Sequence, residues 1–474
     1  MIKGNYFRIG GVALAYVSIL LILSLSIQVI SAEVSFSIRS DQYVFPPSEF
    51  EGTKEYPDIL VMENEYLVIQ LLPNRGITLW NLKSKLTDTE YLYSNPSPLP
   101  YFDELTKTYY IEFGGYYPLY PWNKRDNQPY MVRYEVLEKS GKKVLVYMYG
   151  QDIEEGAKIE EWISFEEKSA KINVKMKITN ISGKKLFVKF GDRLVLEVPL
   201  EDIYLKIPAD KVRIIASKGD WMGGEGEVKP WPQEWALWRN FKEHGVASLD
   251  VKNPYIAIIN EQADEIFVKV WKPAEELKEV IIRSWGVGYK DAYFESPVIY
   301  FQTISPGMEL KSGDSFEFET CFFVAKGLTN FSTVSEYGVG LIELRKKNYT
   351  VGEEVSLNIK LATAALEKNV KAKITILNYS GSLIKEVSEE LLGETSPDKP
   401  LSKSISFKVN DIDPGNYILQ VKVISDRGEL LTMQEELVFL HRPFTLNILS
   451  ILATLLIIVV LIIVIILLIR RKKK

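Results

Sequence analysis

Apolar and polar positions alternate in short runs from residue 33 to residue 324, with turn residues between the runs. A period of two is the mark of strands that bury one face. Residues 60–72 predict two early strands. Runs 131–137 and 144–149 flank Ser140, Gly141, Lys142 and Lys143, and runs 159–165 and 170–179 flank Glu166, Glu167, Lys168 and Ser169, so two hairpins are expected. Runs 186–198, 255–259, 266–271, 298–304 and 316–324 continue the series. No long amphipathic helical pattern interrupts it, and about 270 residues of strands predict one large antiparallel sandwich over 33–327.

Gly, Thr, Asn and Ser then cluster, and 328–340 reads as a linker. Beyond it, runs 341–344, 354–361, 370–377, 404–409, 417–424 and 431–440 predict about six strands, with turn signals at Asp413-Pro414-Gly415-Asn416 and Asp426-Arg427-Gly428. That spacing predicts an immunoglobulin-like sandwich over 341–440.

The chain's two ends break the pattern. Residues 448–469 read ILSILATLLIIVVLIIVIILLI, a run of the roughly 20 apolar residues that a membrane-crossing helix needs. The basic tail 470–474 follows and favours the cytoplasmic side, which places the bulk of the chain outside the cell. Residues 1–32 carry Lys3 and Arg8, a long apolar stretch, and Ser31 and Ala32 at the end. They read either as a secretory signal peptide cut near Ala32 or as an N-terminal anchor. The expected fold class is therefore all-β: a large antiparallel sandwich, a small immunoglobulin-like sandwich and a C-terminal transmembrane helix.

Composition narrows the chemistry. All 62 acidic residues lie between the two apolar ends while seven of the 57 basic ones do not, leaving that part with an excess of twelve negative charges. Nucleic acid, whose phosphates demand a basic face, is not an expected partner. Cys321 is the only cysteine, so no intrachain disulfide forms. With only His244 and His441 available, the usual histidine-based metal sites are not expected. Nothing reads as a nucleotide-binding loop or a nucleophile elbow, and no cofactor is expected. Asn180, Asn330, Asn348 and Asn378 each open an Asn-X-Ser/Thr sequon, an acceptor for glycosylation in an exported chain.

Two stretches carry a family resemblance. LLPNRGITLW (71–80), with NLKSK (81–85) and EYLY (90–93), resembles the opening hairpin of the galactose-mutarotase-like β-supersandwich proteins. IEEWISF (159–165) through KITNIS (177–182) to Phe187 is similar to their central meander. The resemblance covers about residues 55–327, and YTVGEEVSL (349–357) resembles the first strands of macroglobulin-type surface modules. Together they imply a membrane-anchored surface protein of archaeal type. In mutarotases of this family a histidine just after the meander protonates the sugar ring oxygen and a late glutamate takes the anomeric proton. Here the matching stretch, VKFGDRL (188–194), has no histidine. Asp192 could replace the acid only with a pKa raised by desolvation. The resemblance therefore implies a sugar-binding cleft more strongly than mutarotase activity.

Three irregular stretches hold candidate binding residues. TYYIEFGGYYPLYPWNKRD (108–126) offers Trp122 and Arg125 among many tyrosines. The segment 219–245 holds Trp221, Trp231, Trp235 and Trp238 with Glu243 and His244. RSWGVGY (283–289) holds Arg283 and Trp285, with Glu295 beyond. Aromatic faces stack on sugar C–H faces and charged groups bond hydroxyls, yet the same rings pack beneath long loops in many sandwiches. Candidate acid/base groups are Asp192, Glu243, His244 and Glu295. The expected function is a single-pass cell-surface protein whose head binds carbohydrate. A sugar epimerase, isomerase or lyase on the same fold and a non-catalytic scaffold or adhesion subunit of the envelope are the alternatives.

Overall fold

The alternating runs pair as antiparallel hairpins. Tyr130–Lys139 pairs with Lys143–Asp152, and Ala157–Glu166 with Lys171–Asn180. In the first turn the Ser140 hydroxyl accepts the Lys143 backbone N–H at 3.0 Å. In the second, Lys168 adopts a φ of 55°. Every second residue of Ala157–Glu166 is buried, so this strand offers one face to the core and the other to solvent.

The computed structural model describes residues 33–44, 53–73, 77–94, 100–103, 108–111, 114–120, 130–152, 156–196, 203–236, 244–273, 276–284, 298–441 and 448–471. Residues 1–32 and 472–474, on which the leader and most of the basic tail were read, lie outside the described residues.

The four hairpin strands share an eight-stranded sheet with Ser315–Lys326, Glu265–Lys272, Tyr255–Asn260 and Ile203–Lys206. A larger, eleven-stranded sheet sets Thr78–Ser84, Tyr116–Leu119, Gly191–Leu196, Ile299–Ile304, Glu279–Ser284, Gly245–Val251 and Ala209–Ser217 side by side. The two sheets share one core, in which Leu79, Tyr116, Leu194 and Phe301 of the larger meet Ile163, Val174, Phe267 and Phe322 of the smaller. The Tyr116 ring stands edge-on to Phe322, with centroids 4.7 Å apart. Each such side chain contributes about 1.5–3 kcal/mol by leaving water.

The run 186–198 does not form one strand. Leu186–Val188 pairs with Met308–Leu310 in a small separate sheet, and Gly191–Leu196 starts afresh in the larger sheet. Gly191 permits this because a Cβ there would stand 2.0 Å from the Thr303 carbonyl oxygen.

Residues beyond 328 build a second pair of sheets. One holds Thr333–Ser335, Gly338–Leu344, Glu354–Thr363 and Leu401–Lys408; the other holds Asn348–Thr350, Gly428–Leu440, Gly415–Ser425, Glu367–Leu377 and Leu383–Thr395. Their core is centred on Val355, Ile359, Ile374, Val421 and Met433. The stretch 328–340 is no free tether. Leu328, Phe331 and Val339 are buried against Tyr255, Val268 and Phe323 of the smaller head sheet, and Glu336 is held by Lys171 at 2.9 Å and Lys272 at 2.6 Å.

The one α-helix among the described residues is Ile448–Arg471. Its described side chains are apolar except Thr454 and Arg471 and largely exposed. Among the described residues, no helix is long and apolar enough to cross a membrane.

Candidate functional site

Strand Gly191–Leu196 divides its side chains between two faces. Asp192 is in phase with Leu194 and Leu196 and points into the core between the sheets, whereas Arg193 and Val195 point to the opposite face, where both are buried as well. Inside, the Asp192 carboxylate meets the Lys269 ammonium of the smaller sheet, and neither side chain is exposed. Tyr116 donates to Asp192 Oδ2 at 2.9 Å, Thr320 donates to the same oxygen at 3.4 Å, and Lys269 donates to Thr303 Oγ1 at 2.7 Å. Burial lowers the Lys269 pKa, against the opposing pull of Asp192. Glu161 is buried nearby with no hydrogen-bond partner for either oxygen among the described residues. Burial first, and the charge of Asp192 second, push its carboxyl well above the usual range, so it is held neutral. This cluster ties the two sheets together and is sealed from solvent.

The outer face of the larger sheet is different. Residues directly opposite one another on neighbouring strands share a face. Tyr117, Arg193, Gln302, Ile281, Ser248 and Arg213 form such a row across six strands. Arg193 Nη1 donates to the Tyr117 hydroxyl at 3.0 Å, and its guanidinium carbon lies 5.7 Å from the Tyr117 ring centroid and 5.4 Å from that of Tyr300. Arg283 is the cross-strand neighbour of Tyr300. The row ends at a cavity of about 540 Å³ lined by Arg213, Ser248, Lys211, Asp250, Glu279 and Ile304.

The residues singled out from sequence scatter. Asp192 lies in the core, facing away from Arg193, so it is not an acid of an open cleft. Trp231 and Trp235 are also core residues: their ring centroids stand 5.5 Å apart, and Trp231 Nε1 donates to the Ile207 carbonyl at 2.9 Å. They form a packed lid rather than an exposed platform. Trp221 is half-buried against Trp235 and donates to the His244 carbonyl at 3.3 Å. His244 is itself buried, at the head of strand Gly245–Val251. Arg283 alone of the named residues joins the outer face. Trp122, Arg125, Trp238, Glu243, Trp285 and Glu295 lie outside the described residues. Asn180 is fully buried and donates through Nδ2 to the Lys184 and Leu310 carbonyls at 2.7 and 2.9 Å, so the folded chain offers no nitrogen there for a glycan. Asn330 and Asn348 are exposed and Asn378 is half-buried.

Arg193 and its row were missed in the sequence. The available signal was phase: in GDRLVL the leucines that fill the core share their register with Asp192, which leaves Arg193 on the other side.

No family model matches the chain. No curated protein matches it either. Among solved structures it is similar to a TPR-domain containing protein from Parabacteroides distasonis, at 13% identity and a TM-score of 0.50 over 62% of this chain and 56% of that one. It is also similar to a putative aldose 1-epimerase from Klebsiella pneumoniae, at 13% identity and a TM-score of 0.46 over 62% of this chain and 84% of that one. A galactose mutarotase-like protein from Clostridium acetobutylicum follows at 12% identity and a TM-score of 0.43, over 61% and 99%. At this distance the likeness concerns the arrangement of strands and assigns no residue a role.

Proposed function

We propose that the outer face of the larger sheet binds carbohydrate, and that the chain is a surface protein presenting this head above its C-terminal sandwich and a membrane-crossing helix at 448–469. The observation that carries the binding reading is the cavity of about 540 Å³, at which a row of residues through Arg193, itself buried between Tyr117 and Tyr300, comes to the surface. A guanidinium offers planar donors to hydroxyl or carboxylate oxygens, and tyrosine rings offer flat apolar faces to sugar C–H groups. The cavity falls within the roughly 300–1,000 Å³ of small-molecule sites. Lys211 and Arg213 against Asp250 and Glu279 supply both donors and acceptors to a hydroxyl-rich ligand. Binding is favoured over epimerase or lyase chemistry because such chemistry needs an acid and a base at one carbon. Asp192 is paired with Lys269 in the core between the sheets, and His244 stands apart from it at the head of strand Gly245–Val251.

The membrane reading rests on the apolar sequence of 448–469 and on exposed side chains such as Leu456 and Leu468, which water would not leave uncovered. Glycans, if carried, belong on Asn330, Asn348 and Asn378.

The test is a glycan array probed with the detergent-solubilised full chain and with Arg193→Ala beside it. Selective binding lost in the variant is expected. A wild-type chain that binds nothing, or a variant that binds every glycan equally, contradicts the proposal.

A further inference from the structure

A second cavity, of about 330 Å³, opens on the outer face of the smaller head sheet where the C-terminal sandwich adjoins it. Trp162 forms one wall. Its ring is stacked on Tyr147, with centroids 4.9 Å apart and an interplanar angle of 27°, and Tyr147 is stacked in turn on Tyr149 at 5.2 Å. The Lys158 ammonium closes the far end of this stack, 5.0 Å from the Tyr149 centroid. Two tyrosine rings on the neighbouring strand thus hold the indole in place. Its other side lies toward Lys175, the cross-strand neighbour on Lys171–Asn180, whose ammonium is 5.8 Å from the ring centroid and held by Glu317 at 2.7 Å.

The remaining lining mixes apolar Leu145, Val174 and Val270 with polar side chains, and its three lysines balance its three glutamates. Glu336 of the C-terminal sandwich reaches in, held by its two lysines. Ser164, Asn173 and Glu319 also line the cavity, and among the described residues their side chains make no hydrogen bond or ion pair. An apolar ligand would strip water from those three groups without replacing their bonds. A strongly charged ligand would meet lysines and carboxylates alike. A neutral pyranose satisfies both conditions, with a C–H face for the fixed indole and hydroxyls that accept from Asn173 and Ser164 and donate to Glu319.

We propose that this cleft is a second saccharide site, taking a neutral hexose residue of a glycan at the seam between head and C-terminal sandwich. It shares no residue with the outer face of the larger sheet and stands whether or not that face binds sugar.

The experiment is calorimetric titration of the detergent-solubilised full chain with three neutral tetrasaccharides: cellotetraose, maltotetraose and mannotetraose. The wild type is compared with Trp162→Ala and with Asn173→Ala/Glu319→Ala. The expected result is binding of at least one tetrasaccharide, weakened about tenfold by Trp162→Ala and reduced by the double variant. The double variant alters surface groups only, so it reports on the cleft even where the tryptophan change disturbs the fold. Silence of the wild type toward all three sugars overturns the proposal. So does binding that both cleft variants match within about twofold.

Discussion

Asp192 and Arg193 are neighbours in the chain and stand on opposite faces of the larger sheet, one closing an ion pair with Lys269 in the core and the other donating to Tyr117 at 3.0 Å. A single strand thereby carries a main polar tie between the sheets and the central residue of the candidate binding face. Changes at Asp192 are expected to act on stability, and changes at Arg193, which is buried too, on stability as well as on binding.

Removing one member of the buried pair strands the other without solvent. Lys269→Ala is expected to cost about 3–5 kcal/mol in urea unfolding, while the apolar double replacement Lys269→Met/Asp192→Leu recovers most of that loss. A single variant as stable as the wild type would show that the pair is not closed to water.

Glu161 gives stability a pH slope. Its folded carboxyl titrates well above the ordinary value of 4.5, so above that value the folded state keeps a proton that the unfolded chain releases. Stability from this group is full at acid pH and falls as pH rises toward the folded value. Glu161→Gln removes the slope: its Tm advantage over the wild type should widen between about pH 4 and pH 7. An advantage independent of pH would contradict the assignment.

Much of the fold is legible in the sequence because strands that bury one face keep a strict period of two. The hairpin turns at 140–143 and 166–169 stand out for the same reason. Strand Leu383–Thr395 does not, since it is an edge strand with most of its positions exposed or half-buried and Glu386, Glu389, Glu390 and Glu394 along it. Neither face of it repeats an apolar signal. The site was less legible still. Composition marks Trp231 and Trp235 as aromatic but not as inward-facing, and the row Tyr117, Arg193, Gln302, Ser248, Arg213 exists only through the pairing of strands far apart in sequence.

Asn180 tests the interior directly. Its amide donates two hydrogen bonds, and its Oδ1 accepts from the Ser182 backbone N–H at 2.9 Å and the Ser182 hydroxyl at 2.7 Å. Peptide mass mapping of chain from a glycosylating host should find no glycan increment at Asn180, even where Asn330, Asn348 or Asn378 carries one. Asn180→Ala should cost about 2 kcal/mol or more by leaving buried carbonyls unpaired.

The membrane proposal predicts fractionation. A chain ending at residue 440 should leave the membrane pellet and appear in the soluble fraction with its strand signal in circular dichroism intact. A truncated chain that stays in the pellet would remove the helix as the anchor.

The central claim is that Arg193, framed by Tyr117 and Tyr300, is where sugar is held. Saturation-transfer difference NMR of the full chain with the glycan selected on the array tests it most directly. Transfer to the sugar ring protons is predicted in the wild type, lost in Arg193→Ala and reduced in Tyr117→Leu, with both variants shown by circular dichroism to keep the folded strand signal. Undiminished transfer in a folded Arg193→Ala chain would contradict it.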